Sequence, residues 1–241
     1  MNSDVVYTGR DLEAMSFAVN YHRWILQIFE PYLGMRLVEV GAGVGSFSEL
    51  LLERPLESLV LVEPAAQMYE MLTQRMQRFP TLTQIQTFNA MFSRVAAEIE
   101  TVWRPDSILY INVLEHVADD EAELRTVNQT LVKGGRIFIF VPALRWLYGS
   151  FDRQIGHVRR YSSSELTEKC GRAGFKVLES RSFDFLGIAP WWIKYRLFKS
   201  RTMEPAAVRF YDEYVVPFAQ AVEHAVKPPL GKNIILVGEK L

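Results

Sequence analysis

The segment VEVGAGVG, residues 38–45, carries glycine at alternate positions directly after an apolar run. Glycines in such a turn let the backbone approach a ligand closely, and a following helix presents free N–H groups to it. A dinucleotide-binding turn would place its third glycine at position 46, where this chain has Ser46. Glu39, two residues before the first glycine, suits an ammonium group better than a pyrophosphate. The turn therefore predicts a site for a ligand that carries an amine.

Glu63 ends the next apolar run, LVLVE. In nucleotide-binding sheets a carboxylate at the end of the second strand accepts hydrogen bonds from ribose hydroxyls. Enzymes that use NAD share this feature, and a solvated charge at a strand end is the alternative interpretation. The glycine turn upstream favours the ligand-binding role for Glu63.

Two histidines occur in segments that could meet a substrate. His116 lies in LEHV, and His157 lies in FDRQIGHVRRYS, which also contains Arg159, Arg160 and Tyr161. Histidine can accept a proton, tyrosine can exchange one, and arginine binds phosphate or carboxylate. The alternatives are a structural histidine at a pocket edge and an ordered loop whose arginines pair with an aspartate.

Strands and helices alternate along the part of the chain that contains these motifs. The predicted strands are MRLVEV, SLVLVEP, TQIQTF, DSILYINV and RIFIFVPA. Near-continuous apolar strands separated by helices predict an α/β fold, with a parallel sheet covered on both faces. Ligands of such sheets bind beyond the carboxyl ends of the strands, so the motifs are expected to meet there.

The whole chain, residues 1–241, is predicted to form one domain. Its predicted parts are an N-terminal helical cap (1–35, with a helix over 11–30), a core (36–143), a lid loop with a helix and a strand (144–186), a helical insertion (187–230) and a final strand (231–241). A capping box of Ser162 and Glu165 predicts a helix start. Pro217 is expected to kink or split the helix that begins near Pro205.

Composition narrows the classes of partner and compartment. The net charge of −1 gives no reason to expect a nucleic-acid partner. The single cysteine, Cys170, excludes an intrachain disulfide and argues against a cysteine-based metal site. The acidic residues near the N-terminus predict no signal peptide, and no apolar run is long enough to span a membrane, so we expect a cytoplasmic protein.

Together these motifs resemble the class I S-adenosylmethionine (SAM)-dependent methyltransferases. The resemblance rests on VEVGAGVG, on Glu63 in LVLVEP, on DSILYINVLEHV (106–117) and on LVKGGRIFIFVPA (131–143), in that family's order and spacing. It implies a Rossmann-like, seven-stranded, mostly parallel sheet with helices on both faces, an N-terminal helix and a C-terminal helical cap. It also implies SAM as the cofactor and methyl transfer as the reaction.

The resemblance further implies which residues hold SAM. The expected cofactor residues are Glu39, Gly41, Ala42, Gly43, Gly45, Glu63, Asn89, Ala90 and Asn112. Glu39 would reach the SAM ammonium group, and Glu63 would hold the ribose hydroxyls. Asn89 would lie at the adenine edge, where the family often has aspartate.

Methyl transfer needs a base only when the acceptor must lose a proton, as a hydroxyl does. The expected catalytic residues are His116, His157 and Tyr161, and the expected substrate-binding residues are Tyr21, Arg159 and Arg160. Two available histidines favour O- over N-methylation. Glu115 and His116 could also be metal ligands. The ubiquinone-pathway O-methyltransferases, which this segment resembles, have an additional carboxylate where Asn112 stands, so no metal site is predicted.

The acceptor is predicted to be a small molecule or a lipid- or sugar-linked metabolite. The segment APWWIKYRLFKSR (189–201) fits a packed cap or a pocket wall better than a membrane-surface patch or a dimer contact, and either a monomer or a homodimer is expected. An NAD-dependent oxidoreductase is the rival enzyme. A SAM- or partner-binding module without catalytic activity is the non-enzymatic rival.

Overall fold

Short apolar runs form the strands of a central sheet in the computed structural model, which describes residues 17–79 and 82–241. The strands are β1 (Arg36–Val40), β2 (Ser58–Val62), β3 (Gln84–Phe88), β4 (Ser107–Ile111), β5 (Arg136–Pro142), β6 (Phe175–Phe183) and β7 (Asn233–Lys240). The helices are α1 (Val19–Phe29), α2 (Ser46–Leu52), α3 (Ala66–Gln77), α4 (Phe92–Glu98), α5 (Asp120–Thr130), α6 (Ser150–Gln154), α7 (Ser163–Arg172), α8 (Ile188–Trp191), α9 (Pro205–Phe210) and α10 (Val216–Ala225).

The seven strands form one sheet in the order β3-β2-β1-β4-β5-β7-β6. The pairs among β1 to β5 are parallel, whereas β7 runs antiparallel to both β5 and β6. The predicted seven-stranded, mostly parallel sheet is therefore confirmed. The chain order reverses between β1 and β4, so the crevice for a ligand opens beyond the carboxyl ends of those two strands.

Side chains that alternate along each strand fill two apolar layers, one on each face of the sheet. Val38 and Val40 of β1 pack into one cluster, and Leu37 of the same strand packs into the other. The second cluster also contains Trp24 and Phe29 of α1. Helices therefore cover both faces of the sheet. The crevice beyond the carboxyl ends of the strands is left for a ligand.

Within the described residues, the predicted N-terminal helix of 11–30 is a helix over Val19–Phe29. α1 begins at Val19, and residues 11–16 lie outside the described residues. Ala18 is the N-cap residue of α1, and its side chain cannot accept a hydrogen bond from the first turn. Instead, the carboxylate of Asp212 accepts hydrogen bonds from the backbone N–H groups of Asn20 (3.0 Å) and Tyr21 (2.8 Å). The start of α1 is thus fixed by a residue near the other end of the chain.

Helices α8, α9 and α10 lie in the segment 187–230, which is called the cap below. A π-helical turn over Trp192–Leu197 follows α8, and a second over Tyr211–Val215 joins α9 to α10. Pro217 lies in the first turn of α10, so the expected distortion appears as the π-helical turn before the proline. Among the described residues, no helix is long and apolar enough to cross a membrane.

The segment after β5 is more ordered than the predicted loop over residues 145–161. It contains the short helix α6, and Phe151, Asp152 and Arg160 within it are almost completely buried. The sequence shows no helical period there because the segment is held by contacts to the cap and by an internal ion pair rather than by one apolar face. Downstream, Ser162 caps α7 as predicted, accepting a hydrogen bond from the N–H of Glu165 at 3.3 Å.

Candidate functional site

The glycine turn connects β1 to α2 in a conformation that side chains rarely adopt. The φ angles are +69° at Gly41, +55° at Gly43 and +82° at Gly45. The carbonyl of Val62 accepts hydrogen bonds from Gly41 N–H (2.7 Å) and Ala42 N–H (3.1 Å), which fastens the turn to β2. Gly41 and Gly43 line the central cavity, whereas Gly45 faces Leu72 of α3. Two of the three glycines therefore shape the cavity, and the third permits helix packing.

Two carboxylates flank this turn and both are buried. Ser48 Oγ donates a 2.5 Å hydrogen bond to Glu39, and Glu63 accepts hydrogen bonds of 2.8 Å from the N–H groups of Gly43 and Ala65. Burial raises the pKa of Glu39 to about 8, with the nearby charge of Glu63 adding to the rise and the Ser48 hydrogen bond opposing it. Burial also raises the pKa of Glu63, against its two backbone hydrogen bonds. A cationic ligand would supply the positive counter-charge that the buried carboxylate of Glu39 needs in order to ionise.

The ends of β3 and β4 supply the opposite rim. Ala90 and Asn112 line the cavity, and Asn112 has a left-handed backbone with φ of +54°. Asn89 is exposed and does not line the cavity; its Nδ2 donates to the carbonyls of Glu63 (2.9 Å) and Pro64 (3.2 Å). Asn89 thus ties the ends of two strands together, and the wall of the cavity is formed next to it.

A cavity of about 470 Å³ extends from the glycine turn to the cap, which is within the usual size of a ligand pocket. Apolar and aromatic side chains dominate its cap end. Phe151 stacks on Tyr195 with ring centroids 4.7 Å apart, and Trp191 packs against both. The cap therefore closes the cavity with an aromatic wall.

A polar cluster lies in the wall between these two ends. It consists of Glu115, His116, Asp152, His157 and Arg160. Nδ1 of His157 is 2.9 Å from Oδ1 of Asp152, which also accepts a 2.8 Å hydrogen bond from Nε of Arg160. The rings of His116 and His157 meet edge to face at 4.7 Å, and Nε2 of His157 is 3.6 Å from Oε1 of Glu115. Two chain segments separated by about 40 residues thus converge on one spot.

Burial sets the protonation states in this polar cluster. It lowers the pKa of His116 to about 4, helped by the charge of His157, so the ring is neutral near pH 7. It raises the pKa of Glu115 to about 7, although the charges of His157 and Arg160 oppose the rise. Burial also acts to raise the pKa of Asp152. Hydrogen bonds from His157 and Arg160 outweigh this effect and hold the pKa of Asp152 below its usual value.

Four predicted site residues do not line the cavity: Gly45 and Asn89, described above, and Tyr161 and Arg159. Tyr161 is fully buried, and its hydroxyl donates to Oδ2 of Asp120 (2.7 Å) and to the carbonyl of Leu114 (3.1 Å). Arg159 pairs with the same carboxylate at 2.7 Å, as does Lys169 at 2.6 Å. We therefore revise the predicted roles of Tyr161 and Arg159, because both side chains are committed to an ion-pair network around Asp120 and do not line the cavity.

The other predicted residues do line the cavity, and the structure adds some that the sequence did not single out. Tyr21 and Arg160 line it, and their contact with a substrate stays a prediction. Lys232 joins them from just before β7; its Nζ pairs with Asp184 at 2.6 Å and lies over the rings of Tyr21 and Trp191. In the sequence, Lys232 stands out only because it directly precedes a predicted strand. That position did not indicate that its side chain would reach the cavity.

Comparison with known proteins defines the family. A model of the methyltransferase domain matches residues 16–180, more than half of the chain. Among curated protein sequences, none is significantly similar to this chain.

Solved structures share the fold at low sequence identity. A SAM-dependent methyltransferase from Archaeoglobus fulgidus has a TM-score of 0.63 and 16% identity, over 95% of this chain and 99% of that one. One from Thermotoga maritima has a TM-score of 0.59 and 19% identity, over 96% and 95% of the two chains. The magnesium protoporphyrin IX methyltransferase of Synechocystis PCC 6803, solved with bound SAM, has a TM-score of 0.53 and 11% identity, over 95% and 81%.

The matched domain begins before α1 and ends in β6, so it includes the glycine turn, both buried carboxylates and the polar cluster. The sheet order and the position of the cavity at the β1/β4 switch point agree with that match. The chain belongs to the methyltransferase domain family and is a SAM-dependent methyltransferase of the class I fold.

Proposed function

We propose that this protein transfers the methyl group of SAM to a hydroxyl oxygen of a largely apolar small molecule held beneath the cap. One observation carries the proposal. A single cavity joins the glycine turn to the aromatic cap wall, and His116 and His157 of the polar cluster line it, with Glu115 beside them.

The residues at the glycine turn fit SAM. Gly41 and Gly43 let the backbone line the cavity without side chains, and buried Glu39 suits the ammonium of the methionine moiety. Glu63 is oriented at the end of β2 by two backbone N–H groups, where a ribose would lie. Ala90 and Asn112 complete the wall. Bound there, SAM supplies a methyl group already activated on a sulfonium, so the protein mainly aligns the acceptor and excludes water.

The cap end favours an acceptor with an apolar body. The packed rings of Phe151, Trp191 and Tyr195 offer apolar surface, and Lys232 and Arg160 bring positive charge to the same region. Both cations are already paired with buried carboxylates. An acceptor that is mainly apolar with a few polar groups fits this lining better than a highly charged one.

The polar cluster favours oxygen as the methylated atom. A neutral amine can attack the sulfonium carbon without first losing a proton, whereas a hydroxyl benefits from a base or from polarisation. His116 is neutral near pH 7 and faces the cavity, and His157 is held by Asp152. These groups would have no evident role in N-methylation.

The cofactor assignment is tested by calorimetry with SAM and the Glu63→Ala variant. We expect the variant to bind SAM at least about tenfold more weakly, because a hydrogen-bond acceptor for the ribose is lost. Glu57→Ala is the matched control, because Glu57 precedes the opposite end of β2 and pairs on the surface with Arg36. Equal affinity for SAM in both variants would contradict the placement of the ribose at Glu63. Binding heat with NAD but none with SAM would favour the alternative function of an NAD-dependent oxidoreductase.

The acceptor assignment is tested by measuring release of S-adenosylhomocysteine with a panel of apolar phenols and alcohols and with amines of matched size. We expect turnover with hydroxylated members and a large loss in His157→Ala. Turnover only with amines would overturn the choice of oxygen. SAM binding with no turnover on any member, and none on a cell metabolite extract, would favour the catalytically silent module.

A further inference from the structure

Glu115 is a buried carboxylate that lacks the partners such a group requires. Its side chain is completely inaccessible, and within the described residues neither of its oxygens accepts a hydrogen bond from another side chain or loop. Burying a carboxylate without a hydrogen-bond donor or a counter-charge is strongly unfavourable. A group of this kind calls for an unseen partner such as an ion.

Two histidines offer ligand atoms next to Glu115. One ligand atom each from Glu115, His116 and His157 can be chosen so that all lie within 4.8 Å of one another. The separation of 3.6 Å between Oε1 of Glu115 and Nε2 of His157 is near the edge of about 3.4 Å that a tetrahedral zinc site has. Two imidazoles and one carboxylate are the donors that suit a first-row transition-metal dication.

The groups behind the histidines orient them as a metal site requires. Ionised Asp152 accepts from Nδ1 of His157, so Nε2 carries the free lone pair and points towards Glu115. Nδ1 of His116 lies beside Gly156, 3.8 Å from the position that a Cβ of that residue would take. Metal-binding histidines usually donate their second N–H to a carboxylate or a backbone carbonyl in this way.

We propose that Glu115, His116 and His157 bind a transition-metal dication, with Zn²⁺ the best match to this donor set. The sequence-based prediction of no metal rested on the missing carboxylate at position 112; His157, which lies 41 residues after His116, supplies the third ligand instead. Three protein ligands leave a coordination position open towards the cavity. There a hydroxyl oxygen of the acceptor would bind and release its proton to solvent more readily, a consequence that rests on the proposed function.

The experiment measures metal binding directly, on the full chain without a tag, stripped by a chelator and with neither SAM nor acceptor present. Titration with Co²⁺ is followed by visible absorption, and Zn²⁺ is then added to displace it. We expect saturation at one Co²⁺ per chain and complete displacement by Zn²⁺. Glu115→Gln and His157→Ala should each weaken Co²⁺ binding at least about 100-fold, and Asp152→Asn by about 10- to 100-fold.

His224→Ala is the matched control, since His224 is exposed on the cap and outside the cluster; its Co²⁺ affinity should equal that of the wild type. Thermal unfolding identifies a variant that fails to fold, and Glu115→Gln keeps the volume of the side chain for that reason. Absence of one-equivalent Co²⁺ binding, or an affinity equal to that of the wild type in both Glu115→Gln and His157→Ala, overturns the metal site. Methyl transfer that persists in the presence of chelator would then leave the proposed function intact. Metal binding by a protein that does not bind SAM would contradict the proposed function and leave the metal site intact.

Discussion

At the scale of single residues, the site is defined by carboxylates removed from water. Glu39, Glu63 and Glu115 all lie in or beside the cavity wall, and each has a raised pKa because of burial. They differ in how they are satisfied: Glu63 has two backbone donors and Glu39 has one hydroxyl, whereas Glu115 has no donor from another described residue. The protein stores unfavourable electrostatics that a ligand can relieve.

Glu39 makes stability depend on pH in a predictable direction. Its pKa is about 8 in the folded protein and near 4.5 when unfolded, so between these values only the folded state holds the proton. The free energy of unfolding should therefore fall as pH rises from 5 to 8, by up to about 1.4 kcal/mol for each pKa unit. Urea denaturation of the ligand-free protein and of Glu39→Gln measures this, and the variant should show a shallower fall. Parallel curves would contradict the expectation.

At the scale of elements, a glycine of the turn after β1 and a glycine of the turn before β5 have similar backbones but different surroundings. Gly41 and Gly134 both have left-handed φ angles, +69° and +74°. A Cβ at Gly41 would lie 2.5 Å from Val113, while a Cβ at Gly134 would meet nothing within 4 Å. The turn after β1 is therefore constrained by its neighbours as well as by its own conformation.

Alanine substitutions at these two glycines should separate the two constraints. Gly134→Ala should cost about 1–2 kcal/mol from the left-handed backbone alone. Gly41→Ala should cost about 1–3 kcal/mol more, because overpacking against Val113 is added. Urea midpoints for both variants give the comparison, and equal losses would show that the contact with Val113 is relieved at no cost.

At the scale of the whole molecule, the cap and the N-terminal helix stabilise each other. Asp212 of the cap accepts the first N–H groups of α1, and Gln220 of α10 donates to Gln27 of α1. Tyr21 of α1 and Tyr211 of the cap both donate to buried Asp184. One wall of the cavity thus depends on contacts between the two ends of the chain.

Removing the cap's carboxylate tests this dependence. We expect Asp212→Ala to lower the free energy of unfolding by about 1–3 kcal/mol, because two helix N–H groups lose their acceptor. The adjacent Glu213→Ala is the control; Glu213 is exposed, so its loss should stay within about 0.5 kcal/mol. Limited proteolysis should also cut the Asp212→Ala cap faster. Similar stability and cleavage in the two variants would show that α1 needs no cap from Asp212.

The sequence by itself determined the sheet, most of the helices that cover it, and the glycine turn and Glu63 at one end of the cavity. These follow from local patterns: apolar runs set the strands, the spacing of Gly41 and Gly43 sets the turn, and Glu63 ends β2. Such features depend on residues close together in the chain, so they can be read without knowing the fold.

Tertiary structure alone decided which distant side chains meet. It brought His157 to Glu115 and His116, directed Tyr161 and Arg159 to Asp120 instead of the cavity, and placed Lys232 in the wall beside the cap. The segment FDRQIGHVRRYS has no regular helical or strand period. Its residue types therefore do not show which side chains point to the cavity and which point away from it. Only the packing of that segment against the cap and against the end of β4 selects which of them face the ligand.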